Sequence, residues 1–208
     1  MDLSRPATVV FGEDRTRVLH RLSVLAEGTS GRRIHELSGV RSLRTTQRIL
    51  HEFVAAGLVD VRQIGASNEY VLNRHHVLWG PIEELLATPS RLEAAMAMIL
   101  SETLQDRGGT AALYGSFARG EAGTDSDVDI LVIWDDDEHD ERAATELLDT
   151  ASRRIEQLTG NHAQLFPLSR KELARLIDRD DPFIDSLRRE ARQLTPGADL
   201  RRLLRATG

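Results

Sequence analysis

The chain has 208 residues, no cysteine, a net charge of −6, and is 40% hydrophobic and 29% charged. That length allows one large or two small domains. The missing cysteines exclude disulfides, thiolate metal sites and a thiol nucleophile, and nothing points to an oxidising compartment.

The opening residues (Asp2, Ser4, Arg5, Pro6) carry no apolar signal core. The longest helix-like apolar run, Ala94 to Leu100, is far short of the roughly 20 residues a membrane span needs. A soluble, cytoplasmic protein is expected. The charge is uneven. Residues 1–75 hold 11 Lys/Arg against 8 Asp/Glu, a net of +3, and residues 76–208 hold 16 against 25, a net of −9. A mildly basic half beside an acidic one hints at different partners.

The first half reads as three helices and a hairpin. Asp14 can cap a helix carrying Val18, Leu19, Leu22 and Leu25 at helical spacing, and Gly28-Thr29-Ser30-Gly31 breaks it. Ile34, Leu37 and Val40 mark a short second helix with Gly39 in its turn. Ser42 opens a third, with Leu43, Leu50, Phe53 and Val54 inward and Gly57 at its end. Leu58 to Val61 and Tyr70 to Leu72 read as strands around a turn at Gly65-Ala66-Ser67-Asn68. That order resembles a winged helix-turn-helix. Off the apolar stripe of the third helix stand Arg44, Thr45, Gln47, Arg48 and His51, with Arg41 just before it and Arg62 on the wing. Those side chains suit phosphates and base edges, so duplex DNA is the expected partner, with homodimerisation as the way to reach two half-sites. A module for protein contacts is the competing reading.

Residues 76–106 read as a helical connector. Trp79-Gly80-Pro81 is a turn. Ile82, Leu85 and Leu86, then Leu92, Met96, Ile99, Leu100 and Leu104, mark two helices in which the Met pair fills core. After Gly108-Gly109, the apolar run Ala111 to Tyr114 reads as a buried strand that stops at Gly115-Ser116, before a short helix at Phe117-Ala118-Arg119. Such a stop offers backbone N–H groups, a hydroxyl and a positive dipole end, which together form a phosphate cradle. Arg119 adds a guanidinium suited to phosphate oxygens. Asp127 and Asp129 lead into a second apolar strand, Ile130 to Trp134. Strand alternation puts positions i and i+2 on one face, so the two carboxylates point the same way. Two hard oxygen ligands beside a phosphate cradle suit Mg²⁺ or Mn²⁺.

The remaining elements follow in order. Asp135 to Glu141 reads as a solvated acidic loop and helix start. Leu147, Leu148, Ile155 and Leu158 lie on the helix that follows, which ends at Gly160. His162 to Leu168 is a third strand. Ser169-Arg170-Lys171-Glu172 is a capping box. Pro182 starts another helix, and Leu200, Leu203 and Leu204 form a short closing one.

Gly115-Ser116, ten residues, then Asp127-Val128-Asp129 is similar to the G-S-x10-D-x-D signature of the DNA polymerase β-type nucleotidyltransferase superfamily. The flanks Leu113-Tyr114 and Ala118-Arg119-Gly120 resemble its minimal prokaryotic members, some of which act in toxin–antitoxin pairs. The expected fold class is α+β: a winged helix-turn-helix over residues 1–75, the connector over 76–106, and a small mixed α/β nucleotidyltransferase-like domain over 107–208. The resemblance implies a nucleoside triphosphate on Gly115, Ser116 and Arg119, and metal on Asp127 and Asp129. It also implies a third carboxylate on the third strand. The matching position here holds Gln164, a neutral amide that binds Mg²⁺ poorly and cannot act as a base. His162, two residues earlier, is the candidate substitute base. Two readings follow. One is an enzyme that transfers a nucleoside monophosphate to an unknown acceptor. The other is a DNA-binding regulator or antitoxin whose transferase-like domain senses nucleotide or docks a protein partner.

Overall fold

A computed structural model describes residues 2–65, 67–105, 107–123, 125–135 and 141–205, with the Glu141 side chain set aside. Most of the expected acidic loop, residues 136–140, lies outside the described residues, as does Ala66 of the hairpin turn. The chain divides into two compact units, Arg5–Thr88, and Pro89–Gly208 together with Met1–Ser4. No helix among the described residues is long and apolar enough to cross a membrane.

The first unit runs α1 (Thr8–Phe11), α2 (Glu13–Val24), β1 (Thr29–Ser30), α3 (Gly31–Ser38), α4 (Leu43–Ala55), β2 (Val59–Ile64), β3 (Ser67–Leu72) and α5 (Trp79–Leu86). Its three strands form an antiparallel sheet in the order β1-β3-β2. Between α3 and α4 the backbone turns at Gly39, whose φ of 66° is left-handed. That conformation is cheap only without a Cβ. The core joins Val18, Leu19 and Leu22 of α2, Ile34 of α3, Ile49 and Leu50 of α4, and Val59, Tyr70 and Leu72 of the sheet. Burying one such aliphatic side chain stabilises by about 1.5–3 kcal/mol.

The second unit runs α6 (Thr88–Leu104), β4 (Gly109–Tyr114), α7 (Gly115–Ala118), β5 (Val128–Trp134), α8 (Glu141–Thr159), β6 (Ala163–Ser169), α9 (Arg170–Asp178), α10 (Pro182–Glu190), β7 (Arg192–Gln193) and α11 (Leu200–Leu203). The sheet order is β6-β5-β4-β7. β4 is antiparallel to β5 and β7, and β6 is parallel to β5, with α8 as the crossover. Both faces of the sheet are covered. Val128, Ile130, Val132 and Trp134 pack with α6 and α8, while Leu131 and Ile133 pack with α9, α10 and α11. This double burial explains why β5 reads as an unbroken apolar run and not as an alternation. Ser169 and Glu172 form the expected capping box at α9, and Pro182 takes the first turn of α10.

Several local expectations are corrected. Gly12 stands at the N-cap of α2, and Asp14 lies inside its acidic first turn. Leu43 is 36% exposed because the inward stripe of α4 is Thr46, Ile49 and Leu50. Trp79-Gly80-Pro81 forms the first turn of α5, where a proline needs no backbone donor. Met96 is buried, but Met98, two residues on and hence on another helix face, is 61% exposed. Leu147 and Leu158 lie on the outer side of α8 for the same reason. The strands β1 and β7, two residues each, are too short to leave a periodic signal.

Candidate functional site

The C-terminal end of β4 meets the N-terminal ends of β5 and β6 at one end of the sheet, since β4 runs against the other two. Tyr114, Asp129 and Gln164 lie in one row across these strands. Alternation from Leu131 and Ile133 puts Asp129 on the α9–α11 face. Asp127 is exposed and stands one residue ahead of β5. Its approach is tethered. The Gly123 N–H donates to Ser126 Oγ at 2.8 Å, Asn161 Nδ2 donates to the Ser126 carbonyl at 2.8 Å, and the Val128 N–H donates to the His162 carbonyl at 2.8 Å.

Gly115 is the hinge of the site. Its φ is 72°, and a Cβ added there would stand 2.3 Å from Asp129 Oδ2. Both the left-handed turn and the close approach of the carboxylate therefore require glycine. The turn brings Ser116 and Arg119 back over the sheet end, with the Arg119 N–H on the Gly115 carbonyl at 3.2 Å.

Electrostatics mark this corner. Burial first, and then the Asp127 charge, push the Asp129 carboxyl above the ordinary aspartate value; Arg119 pulls against them, and Glu190 adds the smallest push. Burial and the Asp129 charge raise the Tyr114 phenol. A half-buried carboxylate pushed up by a like neighbour is a donor set that a divalent cation relieves, so the residues fit Mg²⁺ or Mn²⁺. Among the described residues no group of three or more His, Cys, Asp or Glu gathers around one point. A cation here would draw further ligands from phosphate oxygens and water.

Sequence reasoning missed Glu190, the last residue of α10. Its side chain is only 11% exposed. Oε1 accepts from the Gly115 N–H at 3.2 Å and from the Ser186 hydroxyl at 3.1 Å, and Oε2 accepts from Arg119 Nη1 at 2.6 Å. Arg119 also donates through Nε to Glu121 at 2.7 Å. Burial opposes the Glu190 charge, but the bonds from Arg119, Gly115 and Ser186 hold its carboxyl below the ordinary value. The only local hint was the i, i+4 spacing of Ser186 and Glu190, which is common on helices.

The site thus gathers Gly115, Ser116, Arg119, Asp127, Asp129 and Gln164, with Gln164 exposed on the edge strand. His162 is not gathered. It precedes β6, and its Nδ1 lies 2.6 Å from Oε1 of Glu156 on α8, the helix covering the opposite face. In the first unit, Arg44, Thr45, Gln47, Arg48 and His51 stand together along the outer face of α4. Arg48 is held by Glu52 at 2.6 Å, and Glu52 is also held by Arg15 at 2.7 Å. Arg41, Arg44 and Arg62 are exposed.

Comparison with known proteins finds a match within the second unit. Residues 97–183 match the family model of the nucleotidyltransferase domain. The matched stretch contains the glycine turn, both aspartates and Gln164, and it ends before Glu190. The unit that contains the matched stretch is mixed α/β, consistent with such a domain. A solved structure described as "Crystal structure of the toxin-antitoxin with AMP-PNP" is 18% identical, covering 52% of this chain and 79% of that one, with a TM-score of 0.34. No curated protein matches the sequence.

Proposed function

We propose that the nucleotidyltransferase domain binds a nucleoside triphosphate and transfers its nucleoside monophosphate to a hydroxyl acceptor. The acceptor oxygen bonds to the α-phosphorus, the bond from that phosphorus to the bridging oxygen breaks, pyrophosphate leaves, and the hydroxyl proton passes to solvent. The observation that carries this reading is the crowded corner where Asp129 lies against Gly115 beside Asp127 and Arg119. Ser116 and Arg119 bind phosphate oxygens, and the guanidinium orients them. Asp127 and Asp129 would hold Mg²⁺ or Mn²⁺, which when bound neutralises phosphate charge and stabilises the pyrophosphate leaving group. Incubating the full chain with Mg²⁺ and each nucleoside triphosphate, and measuring pyrophosphate release against Asp127→Asn and Asp129→Asn, tests it. Metal-dependent release lost in both variants is expected. Equal release from the variants would overturn it.

Gln164 favours a second reading. It stands beside Asp129 in register, at the place where a base would help the acceptor lose its proton, and an amide cannot do so. Under this reading the domain binds Mg²⁺–nucleotide with slow turnover and serves as a sensor or a dock for a protein partner. Calorimetry showing tight binding without pyrophosphate release would select it. His162 would act as a substitute base only after leaving Glu156. His162→Ala is therefore expected to leave any turnover within about twofold, the scale of an exposed substitution.

We further propose that Arg5–Thr88 is a winged helix-turn-helix head that binds duplex DNA, as a monomer or as a homodimer. The turn at Gly39, the three-stranded sheet after α4 and the exposed Arg41, Arg44 and Arg62 support it. In this reading Arg44, Thr45, Gln47 and Arg48 of α4 enter the major groove.

A further inference from the structure

The donors a triphosphate needs already hold an anion. We propose that Glu190 is an internal carboxylate that holds the phosphate cradle until a phosphate ligand displaces it. This rests on the triphosphate reading above. The Gly115 N–H and Arg119 Nη1, two of the groups assigned to phosphate, both donate to Glu190, at 3.2 and 2.6 Å. The carboxylate reaches them from α10, where the Ser186 hydroxyl steadies it at 3.1 Å. Its side chain is 11% exposed, so water does little to solvate it, and these three bonds are its main stabilisation.

A permanent role beside the phosphates fits the site poorly. Glu190 already adds to the repulsion on Asp129. A triphosphate would bring several more negative charges to the same donors. Nor does Glu190 complete a metal cage, since among the described residues no three carboxylates or imidazoles converge. The arrangement therefore works by exchange of one anion for another. The incoming ligand takes the Gly115 N–H and one face of Arg119, and the carboxylate moves out with Ser186. Any phosphate group whose charge outweighs one carboxylate gains from the exchange, so the carboxylate gates entry of phosphate to the cradle. When pyrophosphate leaves, Glu190 closes the cradle again.

The test is calorimetric titration of the full chain with Mg²⁺–ATP and separately with AMP, for the natural protein, Glu190→Gln and Ser186→Ala. Glu190→Gln keeps an acceptor for the Gly115 N–H and removes the charge. It is expected to bind Mg²⁺–ATP roughly ten- to a hundredfold more tightly, the strength of one or two charged hydrogen bonds released. AMP should gain by no more than the same factor, since any phosphate that takes these donors displaces the same carboxylate. Ser186→Ala, which only loosens the carboxylate, is expected to tighten ATP binding by a smaller factor, and it reads the same effect if the glutamine variant folds poorly. Unchanged or weaker ATP binding in both variants would make Glu190 a support for Arg119 and overturn the proposal while the triphosphate reading stands. If neither the natural protein nor either variant binds ATP, the triphosphate reading fails and this one falls with it.

Discussion

The two units use charge in opposite ways. At the corner of the second unit, Asp127, Asp129, Glu190 and Arg119 crowd against the end of a buried sheet; burial and the Asp127 charge raise the Asp129 carboxyl, while bonds from Arg119, Gly115 and Ser186 hold that of Glu190 below its ordinary value. Along α4 the cations Arg44 and Arg48 stand in solvent, and Arg48 is neutralised by Glu52. A chemical site gains from desolvation, because fixed charges act more strongly where water is thin. A surface for a polyanion gains from exposed cations, which steer association over a distance and release counterions on contact. The difference predicts that substitutions at the corner act on metal, nucleotide and fold together, whereas substitutions on α4 act on binding alone.

The largest effect is expected at the aspartates. Asp127→Asn or Asp129→Asn should lower Mg²⁺-dependent nucleotide binding by at least about a hundredfold, as loss of one preorganised group commonly does. Titration with and without Mg²⁺ checks this. Equal affinity with EDTA present would remove the metal from the site. Gln164→Asp should act in the other direction. A carboxylate beside Asp129 is expected to raise any pyrophosphate release by about ten- to a hundredfold, the lower part of what a positioned base contributes. A variant no faster than the natural protein would show that the base is not the limit.

Gly115→Ala comes next, and it joins chemistry to folding. The new Cβ meets Asp129 Oδ2 at 2.3 Å and the residue must hold a φ of 72°, so a loss of about 1–3 kcal/mol is expected in urea unfolding. Stability within about 0.5 kcal/mol of the natural protein would mean that the turn relaxes, and the close approach would lose its meaning. On α4, Arg44→Ala should weaken duplex DNA binding about tenfold and lower the salt slope by about one, as expected for one lost phosphate contact. Arg48→Ala should cost less, because Glu52 already holds that guanidinium at 2.6 Å. An Arg44→Ala variant with unchanged affinity and slope would point to a module for protein contacts.

What could be read beforehand follows from how local each cause is. The strands β4 and β5, the capping box of Ser169 and Glu172, and the turn at Gly115 are written in neighbouring residues, so pattern alone reaches them. Gln164 was legible only through the resemblance, which implies a carboxylate at that place on the third strand; the parallel register that sets it beside Asp129 is not written in neighbouring residues. Glu190 was not legible. It comes to Gly115 from 75 residues away in sequence, and nothing near it in the chain announces that contact. The surroundings of His162 were not legible either. Strand alternation placed it beside Gln164, but the residue precedes β6 and Glu156 on α8 captures its ring. A contact across 75 residues decided the first case and a side-chain contact six residues away the second, and strand periodicity carries neither.

The smallest effect is the sharpest test of the crowded corner. Asp129 has its pKa raised in the folded chain above the ordinary 3.8, by burial first and by Asp127 second. An acid that binds its proton more tightly when folded stabilises the fold only while protonated. That contribution is complete below the unfolded value and is lost as pH rises through the folded one. At neutral pH the Asp129 charge is thus a net cost to the metal-free fold, kept small by solvent screening of a partly exposed group. Asp129→Asn removes that cost. It should stabilise the metal-free protein at neutral pH, and the gain should shrink as pH falls toward the raised carboxyl value, where the natural residue also becomes neutral. Urea unfolding of both proteins at neutral and mildly acid pH, with EDTA present, measures it. A variant less stable at neutral pH would mean that Arg119 holds the Asp129 charge more strongly than Asp127 and Glu190 oppose it. The site would then be an ion-paired structural corner and not a charge trap awaiting a cation.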